Sequence, residues 1–462
     1  MKKNHLYLTF FFLLVIVRGF FNFIIPLTDK TEARYSEIAR LMSETGNWIV
    51  PQIDYGVPFW AKPPLSTWLS AMSISIFGEN EFFVRLPSLV LSLLMAFFIS
   101  KYIANKKLPF FLPCLILFSL PEFFLHAGVV STDISLSFSI MLIMISFWEI
   151  SKKTSFMWES LFVFAIAMGL LSKGPISIVL TFPPLFLWGL RFRLPIRKLF
   201  RISWLFGLVV ALPWYFLAEK NSPGFTNYFI VGEHFLRFID SSWTGDKYGF
   251  PKQQPLGIIW VFLILGTLPW IFSLLKKLIK NFRSIWNNKW EFFLWSWLLW
   301  TPVFFTISKS LIHTYIMPVM VPLTLLVCHY WENLKFKKFQ LGFSIFIPIL
   351  VLISYSFRDI RELVENKSDK ILVEKSTSHF APIYSLEVKS YSSQFYSKGK
   401  IKKIDYEELE KLIKENNSFF IAIKENRIDS VMPSLRNKLK NIYKRSDKSL
   451  YSHNVSSKKL VD

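Results

Sequence analysis

The chain has 462 residues, 52% of them hydrophobic and 18% aromatic, with a mean hydropathy of +0.37. A water-soluble domain does not gather that content into uninterrupted apolar runs of about 17 to 22 residues, the length with which a helix crosses roughly 30 Å of hydrocarbon. The net charge of +22 does not mark a nucleic-acid binder either, because Lys and Arg fall largely in short links between these runs and in the C-terminal tail.

The first run, LYLTFFFLLVIVRGFFNFIIP, follows MKKNH and starts like a secretory signal. It is longer than a signal's apolar segment and carries no small-x-small cleavage site, so it reads as a retained helix. Later runs include LFGLVVALPWYFLA, GIIWVFLILGTLPWIFSLL and FQLGFSIFIPILVLISYSF. Between runs lie the basic links ANKKL (104–108), SKKTS (151–155), RFRLPIRKLFR (191–201), KKLIKNFRSIWNNK (276–289) and NLKFKKF (333–339). Short basic loops stay in the cytoplasm. With MKK also inside, the links fall on alternate crossings of about eleven helices, which puts the N-terminus in the cytoplasm and the C-terminal region outside. The expected fold is an α-helical polytopic membrane protein over 1–357, followed by a small extracytoplasmic α/β domain over 358–462. In that tail FAPIYSLEV reads as extended, DYEELEKLIKEN as helical and SFFIAIK as a strand, and the basic end as frayed. Cys114 and Cys328 sit inside apolar runs and read as buried thiols, not a disulfide.

The same alternation assigns the outer loops. The longest, 27–82, contains TDKTEARYSEIARLMSETGNWIVPQ and then GVPFWAKPPLSTW. Helical spacing puts Ile38, Leu41 and Met42 on one side of a helix. Asp29 and Glu32 lie near its start, where acids favour the dipole; they read either as capping groups or as a carboxylate base. Lys62 reads either as a lysine snorkelling to the interface or as a positioned cation. Pro63 and Pro64 favour the second reading, since they restrict the backbone around it. Lys173 in LLSKGP and Lys309 in TISKS repeat the pattern of a cation at the outer end of an apolar run, and Arg85 and Arg237 add two more. Five outer cations run against the positive-inside bias and suit an anionic ligand at the outer surface. Asp133 reads as a helix N-cap or as a second carboxylate at the same place.

His234 follows Glu233 in GEHFLRF. A single histidine is more often a hydrogen-bonded core residue, and no two histidines stand at metal-ligand spacing. No Walker loop, dinucleotide fingerprint or nucleophile elbow is present.

Taken in order, TEARYSEIARLMSETGNWIVPQIDYGVPFWAKPPLSTWLSA, FGENEFFVRLPS, STD (131–133), LLSKGP, the block 213–238 and SKSLIHTYIMP resemble the membrane-embedded glycosyltransferases of the GT-C fold. Within them the chain is most similar to the aminoarabinose:lipid A transferase family, related to the protein O-mannosyltransferases. The resemblance implies a polyprenyl-phosphate-linked sugar donor, an acceptor of the bacterial cell envelope such as lipopolysaccharide, and a multi-pass protein of the inner membrane. It implies that Lys62, Arg34, Arg237, Lys173 and Lys309 hold the donor phosphate and that Tyr35, Arg85, Glu233, His234 and Tyr315 belong to the same site. Glu32, Asp29 and Asp133 are the candidate bases. Relatives have Asp-Glu before x-Arg-Tyr, whereas Thr31 stands here in the Asp place, so the base stays open between Glu32 and Asp29. Some relatives have Glu before the lysine of the Lys-Pro pair, where it could join a histidine on a metal; Ala61 stands there, and no cofactor is implied at that point. A transporter or flippase of lipid-linked sugars is the alternative, but it calls for charges near the bilayer midplane and a two-half repeat, neither of which is found.

Overall fold

The computed structural model describes residues 2–103, 108–237, 245, 247–248, 254–308, 310–377 and 381–455. Lys309, most of the ANKKL link, the middle of the outer loop at 219–256 and the last residues of the tail lie outside them.

Seven of the described helices are long and apolar enough to cross a membrane, or eight if Ile258–Gly266 and Trp270–Asn287, bent by 112°, count as one broken span. They include α1 (Lys2–Ile24), α4 (Glu81–Ile103), α7 (Asp133–Lys152) and α8 (Phe156–Lys173). The expected eleven is reached only with shorter apolar helices, α5 (Phe111–Ser119) extended by α6 (Pro121–His126), α9 (Ile176–Arg191) and Lys289–Phe305. Apolar runs announce these in sequence, but turns shorten the helices themselves.

The apolar faces sort by depth. In α7 and His313–Asn333, 83% and 89% of the apolar window is buried against 33% in α1, so these two lie at the centre and α1 at the rim. On α1, Phe11, Leu14 and Phe21 are buried, while Phe12, Ile16, Phe20 and Phe23 are exposed on the other side. A helix apolar all round with one face unpacked is stable only where hydrocarbon, not water, covers that face.

At one end of the bundle the first long loop folds into α2 (Glu32–Thr45), a hairpin of β1 (Gln52–Asp54) and β2 (Val57–Pro58), and α3 (Leu65–Phe77). Ile38, Leu41 and Met42 are all buried, as their spacing implies. Gly46 ends α2 in the left-handed region (φ +69°), its N–H reaching the Met42 carbonyl at 3.1 Å; a side chain would strain that cap. Asp29 does not cap α2. Thr31 takes the N-cap place without a side-chain bond.

The polar C-terminal region carries a five-stranded sheet in the order β4-β3-β5-β7-β6, built from β3 (Ile383–Leu386), β4 (Lys402–Ile404), β5 (Phe419–Lys424), β6 (Lys440–Lys444) and β7 (Lys448–His453). β3 runs parallel to β4 and β5, and β7 antiparallel to β5 and β6. β5 is covered on both faces: Phe419, Ile421 and Ile423 pack with Leu409 and Ile413 of the helix Tyr406–Lys414, and Phe420 packs with Leu372, Val373 and Leu450. Asp405 and Glu408 close a reciprocal capping box that starts the helix.

This sheet region rests on the first loop. Asp29 accepts the Ser392 N–H at 3.0 Å and also its hydroxyl, Lys370 pairs with Glu81 at 2.5 Å, Lys389 with Asp54 at 2.6 Å, and the Leu27 N–H reaches the Tyr396 hydroxyl at 2.7 Å. Asp29→Ala leaves the Ser392 donors unpaired, which costs about 1–3 kcal/mol. Faster proteolysis between the last membrane helix and the sheet is the expected outcome; an unchanged cleavage rate would remove Asp29 from the junction.

Candidate active site

Lys62 lies in the short non-helical stretch between the hairpin and α3. Phe59 N–H bonds to the Pro51 carbonyl at 2.7 Å, and the Tyr248 hydroxyl both accepts from Trp60 N–H at 3.0 Å and donates to the Pro58 carbonyl at 2.9 Å. Trp60 Nε1 donates to Ser222 Oγ at 2.8 Å. With Pro63 and Pro64 following, the lysine's backbone is held from several sides. Its Nζ donates to Glu233 Oε2 at 3.1 Å, and the side chain remains 18% exposed.

Glu233 sits on a π-helical stretch, Asn227–Leu236, and is shared. Arg237 reaches it at 3.0 Å and the Tyr228 hydroxyl at 3.3 Å. Burial alone would raise the Glu233 carboxyl, but Lys62 and Arg237 override it and hold it below the ordinary carboxylate range. His234 points both ring nitrogens at carbonyls, of Phe229 at 2.8 Å and of Lys173 at 3.3 Å. Burial pushes its imidazole below the usual value, with the nearby Lys62 charge adding to this. It ties the π-helix to the end of α8.

Lys173 ends α8, donates to Asp133 Oδ1 at 2.6 Å and lies 4.6 Å from the centre of the Tyr315 ring. Gly174 follows it at φ +77°, where a Cβ would stand 2.6 Å from the Phe229 ring. Only glycine lets the π-helix approach this closely. Asp133 is the first residue of α7, not its N-cap, which is Thr132; its carboxylate serves Lys173 instead. Arg34 donates to the Tyr248 carbonyl at 2.6 Å and lies 5.4 Å and 5.6 Å from the Tyr35 and Phe59 ring centres.

Tyr35 is the common neighbour. Burial raises its phenol above the ordinary value, and Arg34, Lys173, Asp133 and Glu233 all lie close enough to act on it electrostatically. Arg34, Lys62, Lys173 and Arg237 therefore surround one place with two carboxylates, Glu233 and Asp133, among them. Among the described residues, four cations against two anions leave an excess of two positive charges. Lys247, not singled out in the sequence, adds a cation 4.0 Å from the Trp60 ring centre; its DKYGF context carries no signal that would have marked it.

Three expected residues, Glu32, Arg85 and Asp29, lie elsewhere. Glu32 is bound by Arg85 through a two-pronged contact, Nε to Oε1 at 2.8 Å and Nη2 to Oε2 at 2.7 Å, with both side chains buried. Arg85 also donates to the carbonyls of Asn22, Ile25 and Pro26. The pair fastens α2 and α4 to the end of α1. Asp29 lies at the junction with the C-terminal sheet.

Comparison with known proteins matches residues 4–229 to the family model described as dolichyl-phosphate-mannose-protein mannosyltransferase. The chain is 29% identical over 367 residues to the undecaprenyl phosphate-alpha-4-amino-4-deoxy-L-arabinose arabinosyl transferase of Wigglesworthia glossinidia brevipalpis, covering 76% of this chain and 64% of that protein. It is 29% identical over 318 residues to the same transferase of Yersinia enterocolitica, covering 66% and 55%. The chain thus spans less than two thirds of the length of the curated relatives it matches. The crystal structure of ArnT from Cupriavidus metallidurans bound to undecaprenyl phosphate superposes with a TM-score of 0.78 at 17% identity, covering 97% of this chain and 98% of that one. The apo ArnT structure gives the same score over 99% of each. The chain is a polytopic membrane protein of the GT-C fold, and in sequence and architecture it resembles the aminoarabinose transferases.

Proposed function

We propose that the chain is an integral-membrane glycosyltransferase that moves a sugar from a polyprenyl-phosphate carrier to a cell-envelope acceptor, on the extracytoplasmic face of a bacterial inner membrane. Its N-terminus is then cytoplasmic and its C-terminal α/β domain, 358–462, periplasmic. The observation that carries this reading is the cationic excess around Tyr35, set against the aromatic rings of Phe59, Trp60 and Tyr315. Positioned cations of this kind suit a phosphate carried on a lipid. The relatives' name, undecaprenyl phosphate-alpha-4-amino-4-deoxy-L-arabinose arabinosyl transferase, supports the same donor class.

In the reaction an acceptor oxygen attacks the anomeric carbon. The bond from that carbon to the phosphate oxygen breaks, and its electron pair stays with the carrier, now free polyprenyl phosphate. A single displacement inverts the anomeric configuration. Lys62, Arg34 and Arg237 face the departing phosphate, and Lys173 and Tyr315 complete its surroundings. For a hydroxyl acceptor we assign the base to Asp133, because both oxygens of Glu32 are taken by Arg85 and Asp29 is at the domain junction.

Removing a positioned base costs about 10²–10⁴-fold in rate. With a radiolabelled polyprenyl-phosphate sugar, Asp133→Asn is expected to lose transfer by that order while still binding polyprenyl phosphate. Transfer that survives in Asp133→Asn and fails in Glu32→Gln would return the base to Glu32.

A further inference from the structure

We propose that Glu122, His126 and His313 form a binding site for a divalent transition-metal ion of the zinc class, next to the Asp133–Lys173 pair. The site does not depend on the transferase reading. Glu122 and His126 lie one turn apart on α6, and His313 opens the segment that follows the loop at 308–313. In each residue one ligand atom lies within 4.8 Å of those of the other two. Glu122 Oε1 stands 2.9 Å from His313 Nδ1 and 3.2 Å from His126 Nδ1. Ligands bonded tetrahedrally to zinc at roughly 2.0–2.1 Å stand about 3.3 Å apart, so Glu122 Oε1 and His313 Nδ1 already have near-ligand spacing, with a His126 nitrogen within 4.8 Å of both.

The alternative is a hydrogen-bonded trio. It asks one carboxylate oxygen to take a proton from each of two imidazoles, although the His126 Nδ1–H already has an acceptor in the Glu122 carbonyl at 2.9 Å, which leaves Nε2 as that ring's ligand atom. One divalent ion satisfies the oxygen and both rings together. Two nitrogens and one carboxylate oxygen suit zinc and its neighbours better than magnesium or calcium. Three protein ligands leave a coordination position open, and His313, whose side chain is 54% exposed, leaves it accessible.

The placement gives that open position a use. Thr314, next to His313, lies close to Asp133, and the charges of His126 and Asp133 act on each other. An ion here would hold an anionic or hydroxyl oxygen beside Asp133.

The test uses the full chain in detergent, stripped of metal and of any affinity tag, titrated with Co²⁺ and followed by visible absorption, with Zn²⁺ as competitor. One ion per chain is expected, displaced by Zn²⁺. His313→Ala and His126→Ala should each weaken binding by at least about tenfold, in line with losses on disturbing metal shells, and His5→Ala should leave it unchanged. Zn²⁺ should also raise the unfolding temperature of wild type and not that of His313→Ala. That variant alters an exposed side chain, so it carries the test even if His126→Ala or Glu122→Gln folds poorly. Absence of one-to-one Co²⁺ binding, or binding that persists in His313→Ala and His126→Ala, would overturn the site.

Discussion

Lys62→Gln is expected to lower kcat/KM for sugar transfer by about 10²–10³-fold, the usual cost of removing one positioned charge-stabilising group from a site. The sugar-linked carrier is a phosphodiester with one negative charge, and the departing carrier is a monoester with two. A cation at that phosphate gains strength as the bond breaks, so the loss should fall on kcat as well as on KM. Folding should tolerate the change, because Glu233 keeps Arg237 and the Tyr228 hydroxyl. Lys62→Arg restores the charge but not the reach of a flexible ammonium and should recover only part of the rate. Steady-state kinetics with a defined polyprenyl-phosphate sugar, beside an unfolding curve, separates these effects. A fall in rate matched by a fall in stability would make Lys62 a structural residue.

Arg85→Ala should destabilise the protein by about 3–5 kcal/mol, because it leaves the Glu32 carboxylate buried without its partner. It also orphans the carbonyls of Asn22, Ile25 and Pro26. Replacing both partners, with Glu32→Gln and Arg85→Met together, should cost less than either change alone, since no charge is then stranded. Burial alone would raise the Glu32 carboxyl, but Arg85 holds it below the usual range. A carboxyl depressed on folding contributes stability that is present above its unfolded value of about 4.3 and lost as pH falls through the folded value. Wild type should therefore lose stability in acid more steeply than the doubly substituted protein, as denaturant midpoints across pH would read.

The membrane helices were legible in the sequence because hydrocarbon imposes one requirement, length of apolar run, that no neighbour can alter. The C-terminal pattern was legible for a similar reason: SFFIAIK and DYEELEKLIKEN differ in period, and each became the element its period implies. The resemblance gave the fold, and the solved ArnT structures share it. Partners were not legible. Arg85 looked like one more outer cation, yet its carboxylate lies 53 residues away, and nothing local to either residue names the other. Asp29 looked catalytic by its place beside Glu32, but its partner is Ser392, 363 residues on. Glu233 read as the companion of a histidine, because the π-helical turn that aims it at Lys62 has no sequence period of its own. The metal candidate was hidden in the same way, since His126 on α6 and His313 come from separate elements and meet only in the folded chain.

The most direct measurement follows label in proteoliposomes of the full chain, supplied with radiolabelled polyprenyl-phosphate sugars and envelope glycolipid acceptors. Label should leave the carrier, free polyprenyl phosphate should accumulate in equal amount, and the Lys62→Gln, Arg34→Gln double variant should do neither while remaining folded. Label that stays on its carrier while crossing the bilayer, in wild type and across donors, would contradict the transferase and leave the cationic site to a transporter.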